Sequence, residues 1–143
     1  MSCPDLCSFN ISFKKIDLLA DSEEAIRFVA DYVDNNRHII NCTYDCMGHE
    51  DIKRFFYSDF IGVMQGVIEE GVQQLHIKVS DEFKIRLTVF YTEALVGSML
   101  NWIKNRENTD KESLIQDTLF ICHNSIPQLL KKRAETEAAR RPL

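Results

Sequence analysis

Apolar positions along this chain recur mostly at steps of three and four, the spacing that places side chains on one face of an α-helix. The first such stretch puts Ile26, Val29 and Val33 on one face, with Ala25, Phe28 and Tyr32 beside them. Asp21 followed by Glu24 predicts its start as a capping box, and Asp34-Asn-Asn36 predicts its end. A shorter helix follows from about Arg37 to Met47 and stops at Gly48. The third runs from about Glu50 to Leu75 on a stripe of Phe56, Phe60, Val63, Met64 and Val67. Gly62, Gly66 and Gly71 interrupt that stretch, each costing roughly 1 kcal/mol against alanine in a helix interior. Such a cost asks for an offset: a close helix contact, a bend, or room for a bound molecule.

The fourth stretch organises the rest. It starts at Ser80 or Asp81, runs to about Arg106, and is apolar most of the way round between Leu87 and Ile103. Its small residues Ala94, Gly97 and Ser98 share one face, while Val89, Val96, Leu100 and Ile103 lie opposite. A helix covered on two sides is either a subunit-interface helix or the centre of a monomeric bundle. The fifth stretch begins at a capping box of Thr109 and Glu112 and carries Ile115, Leu119, Cys122, Ile126 and Leu129 as a seam of the kind that pairs in bundles. Pro127 predicts a kink or restart near Asn124–Ser125.

These elements predict an all-α chain, an antiparallel bundle of about five helices. An irregular segment covers residues 1–20, the folded domain 21–135, and a frayed basic tail 136–143. Symmetric pairing through the last two helices would form a four-helix interface near Ala94, Gly97, Ser98, Ile115, Leu119, Cys122 and Ile126. Few glycines and prolines, and no Asn-Gly or Asp-Gly, agree with the absence of hairpins.

Charge narrows the function. A net charge of −5 is not the footprint of a nucleic-acid binder, so this chain alone is not expected to hold DNA. No apolar run approaches a membrane span and no leader pattern opens the chain, which points to the cytoplasm. Five cysteines, an odd count, argue against a disulfide framework. Cys42 and Cys46 share a helical face with His49 nearby, yet no second ligand pair matches them, and small-hydrophobe packing is the commoner use of cysteine. His38, His49, His76 and His123 sit in no ligand motif, and neither a phosphate loop nor a nucleophile elbow is present. No metal, no cofactor and no catalytic role is expected. Phe56, Phe60 and Met64, with Tyr91 and Trp102, either line a mainly apolar pocket for a small effector or fill the core.

The run Phe90-Tyr-Thr-Glu-Ala-Leu-Val-Gly-Ser-Met-Leu-Asn-Trp-Ile, then Asn105-Arg-Glu-Asn-Thr-Asp-Lys-Glu-Ser-Leu, resembles the C-terminal regulatory domain of TetR-type transcriptional regulators. Within that family it is similar to a subgroup common in Gram-positive bacteria, which includes the dihydroxyacetone-kinase regulators. Phe90, Ala94, Gly97 and Trp102 carry the likeness, and Asn36-Arg37 resembles the family's junction between helices. Glu93 departs from it, standing where the subgroup tends to have a small residue. The resemblance implies a homodimer that binds a small effector and shifts its helices in response. An alternative is a helical homodimer that acts as a protein-interaction or coactivator module without a ligand. Family members begin with a three-helix DNA-reading unit, whereas only about twenty residues precede the first helix here, so no DNA-reading residue is carried over.

Overall fold

Three long helices form the body of the computed structural model: α1 (His49–Gln74), α2 (Asp81–Lys104) and α3 (Lys111–Arg140). It describes residues 49–105 and 108–140 and, before them, Glu24, Arg27, Ala30, Asp31, Asp34, Asn35 and Cys42, all of these helical. The described residues contain no β-strand. The expected features at Asp21, Asn36-Arg37, Cys46 and Gly48, the segment 1–20 and residues 141–143 lie outside the described residues.

Burial follows the apolar stripes and divides into two clusters. Ile52, Phe56 and Phe60 from the first half of α1 meet Val96, Met99, Leu100, Trp102 and Ile103 from the second half of α2, with Ile115 and Leu119 of α3 and Ala30. Met64, Val67 and Ile68 meet Leu87 and Tyr91 from the first half of α2, with Ile126 and Leu130 of α3. Phe56, Ile68, Val96, Ile115, Ile126 and Leu130 are almost wholly enclosed. Full burial of such a side chain contributes about 1.5–3 kcal/mol, so these positions dominate the stability of the body.

The ends of the helices show how the chain turns. At the end of α1, Ile77 N–H reaches the Val72 carbonyl at 3.3 Å and His76 N–H reaches Gln73 at 3.2 Å. With His76 at φ 52, this pair is a Schellman motif whose left-handed position is held by a non-glycine residue. Ser80 then caps α2, its hydroxyl accepting from Phe83 N–H at 3.4 Å.

At α3 the cap differs from the expected capping box. Asp110, not Thr109, is the residue whose carboxylate accepts from Ser113 N–H at 3.1 Å and whose carbonyl accepts from Leu114 N–H. A shorter acidic side chain placed three residues before an N–H satisfies that donor directly, without help from Glu112. Glu112 instead pairs with Arg27 at 2.7 Å, and Lys111 with Asp31 at 2.7 Å, which fastens the start of α3 to the preceding helical residues. Nor does the helix restart before Pro127: α3 is unbroken through it. The lost backbone bond is outweighed by Ile126 and Leu130, both locked in the core on either side of the ring. Past the expected domain end the helix continues to Arg140, with Glu137 accepting from the Ser80 backbone N–H at 2.9 Å.

Candidate functional site

The positions expected at a pairing face are divided by the fold. Ala94, Gly97 and Ser98 are exposed along α2, whereas Ile115, Leu119 and Ile126 are buried in the chain's own core and Cys122 is half-buried. A bundle seam identifies an apolar face without saying which helix covers it, and here the same chain covers most of it.

What remains open lies beside that seam. Phe90, Glu93, Ala94, Gly97, Ser98 and Asn101 form one exposed stripe of α2, at helical steps of three and four. Phe90 is 69% exposed, and its ring stands edge-on to Tyr91 at 5.7 Å. Tyr91 turns inward and bonds Ser125 of α3. Because the Ser125 hydroxyl donates to the Ile121 carbonyl at 2.6 Å, its oxygen is the acceptor and Tyr91 the donor. Ile121, one turn before Ser125 on α3, is 60% exposed. Asp117, Ile121, Asn124 and Gln128 are exposed along α3. A Cβ added at Gly97 would meet nothing within 4 Å. The pattern alone did not reveal Phe90 and Ile121 as surface residues, because each sits among apolar neighbours that do go inside.

The five positions Phe56, Phe60, Met64, Tyr91 and Trp102 are all buried. Phe56, Phe60 and Trp102 belong to the first cluster, Met64 and Tyr91 to the second. Among the described residues, Phe60 and Trp102 border a small, partly open pocket of about 30 Å³, walled also by Leu95, Met99, Leu114, Ile115 and the exposed Ser98. That is near the space one water molecule takes in the liquid, far below an organic ligand. The rings of Phe56 and Phe60 stand 6.4 Å apart at 38°.

Two titratable groups of the body are shifted by burial. One carboxylate oxygen of Asp59 is enclosed without a hydrogen-bond partner, and desolvation raises its pKa. Burial also pushes the Cys122 thiol up, so it stays protonated and unreactive at neutral pH. Cys42 is half-buried, and its companion Cys46 lies outside the described residues. His76 is exposed and His123 half-buried, and among the described residues no group of three or more His, Cys, Asp or Glu is placed to hold a metal ion. Among the same residues no helix is long and apolar enough to cross a membrane.

Residues 20–124 match the family described as the C-terminal region of transcriptional regulators, of the TetR type. No curated protein and no solved structure matches the chain.

Proposed function

The chain belongs to the family of TetR-type transcriptional regulator C-terminal regions, and on that premise we propose that it is a cytoplasmic regulatory domain that pairs with a second copy of itself and responds to a small organic effector. Transcription regulation is the role of such a region, and catalysis is not typical of it. The observation that carries the pairing is the open face of α2 and α3. On α2 the exposed Phe90 lies beside a strip of small residues where another helix can approach closely, and on α3 Ile121 is exposed as well. The interface then uses Ala94, Gly97 and Ser98 as the sequence suggested, but meets α3 through Ile121 rather than through the enclosed Ile115, Leu119 and Ile126.

For the effector, the void beside Phe60 and Trp102 is a starting point and not a finished pocket. A ligand of ordinary size needs roughly 300 Å³ or more, so it must part the helices to enter. Binding that requires separation of α1, α2 and α3 also moves their ends, which is the mechanical link a regulator uses. The second reading, a homodimeric interaction module without a ligand, is favoured by how small this void is. A thermal-shift screen with small metabolites separates the two, because an effector stabilises by mass action and a ligand-free module is moved by none of them.

Sedimentation equilibrium tests the pairing. The wild type should run at twice the chain mass at micromolar concentration, and Phe90→Glu with Ile121→Glu at the single-chain mass. A wild type that stays single at those concentrations overturns it. With a net charge of −5, this chain alone should not retard duplex DNA in a gel at about 150 mM salt, the exposed Lys131 and Lys132 adding only a weak, salt-sensitive attraction.

A further inference from the structure

A groove of about 390 Å³ runs between α1 and α2, lined wholly by those two helices. Its volume falls within the range of small-molecule sites. Ile68 and Thr88 form the buried floor, and Ile61, Ile85 and Val89 the walls. Ile85 is 63% exposed and Val89 37%, large apolar side chains left facing water along one side of the groove. Thr88 offers no donor there, since its hydroxyl donates to the Lys84 carbonyl at 2.8 Å.

Charge gathers at one end. The Lys84 ammonium lies low in the groove, with its side chain 18% exposed, and is bracketed by Glu69 at 3.0 Å and Asp81 at 3.2 Å. Both carboxylates stand further out, 46% and 92% exposed. Two carboxylates against one ammonium leave a negative charge in excess, and the excess lies on the solvent side, where an entering molecule meets it first. An anion would have to displace one carboxylate from Lys84 and pass the other. A cation approaches the carboxylates from outside while Lys84 keeps both its partners.

We propose that this groove binds an amphipathic organic cation, its apolar body lying on Ile61, Ile85 and Val89 and its charged head against Glu69 and Asp81. None of these residues belongs to the pairing face or to the aromatic set, so the site stands or falls separately from the dimer and from the effector void. Tetraphenylphosphonium and tetraphenylborate, equal in shape and opposite in charge, are suitable probes for isothermal titration calorimetry on the full chain. The phosphonium should bind at least about tenfold more tightly than the borate, a difference of ~1.4 kcal/mol. Glu69→Gln with Asp81→Asn should erase that preference, and Val89→Arg, which fills the groove with a like charge, should abolish phosphonium binding. All these positions are solvent-facing, so helicity by circular dichroism and the mass by sedimentation should match the wild type. Equal or tighter binding of the borate, binding of neither probe, or phosphonium binding that survives Val89→Arg would each overturn the assignment.

Discussion

At Gly62 the helix carries a cost that nothing among the described residues offsets. The residue is exposed, and a Cβ there would meet nothing within 4 Å, so neither a close helix contact nor a crowded core requires it. Gly62→Ala should therefore raise stability by about 1 kcal/mol, read from the urea midpoint at unchanged slope. A loss would mean that another molecule approaches the helix at that point. His76 is the converse case, a non-glycine residue at φ 52 where glycine carries no steric penalty. Asp59 is a third single-residue liability. Its pKa is raised in the folded state by burial, so the folded chain holds the proton more firmly than the unfolded one. Stability then falls as pH rises from the ordinary carboxylate value through the raised one. Asp59→Asn should flatten that part of the stability–pH curve and make the protein more stable at neutral pH; a steeper or unchanged curve would show that the carboxylate is not strained by burial. The cost at Gly62 was legible in the sequence but its missing offset was not, and Asp59 is there an ordinary member of a helical stretch. Their character depends on which sector of α1 its neighbours leave open.

Among the elements, the three long helices were legible because an apolar period of three and four ran along each of them. Ser80 caps α2 as its spacing suggested, and Val96, Leu100 and Ile103 bury the face assigned to the core while Val89, the fourth residue of that face, stays 37% exposed. The errors came at places where two local rules compete. Thr109 and Asp110 are both good caps, and only the geometry of Ser113 N–H decides between them. Pro127 weakens the helix by ~3 kcal/mol in isolation, yet burial of the residues around it keeps α3 helical through the ring, with no restart. The end of α3 was unreadable for a different reason: its partner is far away in sequence. Glu137 accepts from the cap of α2 and from Arg133 at 3.2 Å, while the Arg133 guanidinium lies 4.8 Å from the centre of the Phe83 ring. The Ser80 hydrogen bonds, and Arg133 after them, hold the Glu137 pKa below the usual carboxylate value. A depressed acid stabilises the fold above its unfolded pKa and loses that contribution as pH falls through the folded one. Amide exchange at Ser80 and Phe83 should accordingly quicken as the pH drops below the ordinary glutamate range, and Glu137→Gln should be fast already at neutral pH. Exchange in the variant as slow as in the wild type would show that the contact does not hold the two helices together. In the first cluster, Phe60→Ala should cost about 3–5 kcal/mol in the denaturation midpoint, because a void of about 30 Å³ beside it gives the ring no slack. A clearly smaller loss would reveal a larger cavity in solution.

For the whole molecule, the question is what covers the open face of α2, and Gly97 poses it most sharply. Among the described residues it is a second uncompensated glycine, exposed and with nothing within 4 Å of an added Cβ. On the chain's own account Gly97→Ala should stabilise by roughly 1 kcal/mol, as at Gly62. In a dimer closed over Ala94, Gly97 and Ser98, the same methyl group stands between two helices and acts on both copies at once. The two effects have opposite signs and respond differently to dilution, since pairing stabilises by mass action while helix propensity does not. Melting curves over a wide range of protein concentration should therefore cross. At the dilute end, where chains are single, Gly97→Ala should melt above the wild type. At the concentrated end it should melt below, its midpoint nearly independent of concentration where that of the wild type keeps rising. Gly62→Ala, away from the proposed face, supplies the control: its curve should lie above the wild type at every concentration and run parallel to it. If Gly97→Ala behaves as Gly62→Ala does throughout, no helix closes over that strip. The sequence could mark Gly97 as a small residue on an apolar helix, but an amphipathic pattern records only that a face wants covering, and the identity of the cover is a property of two chains.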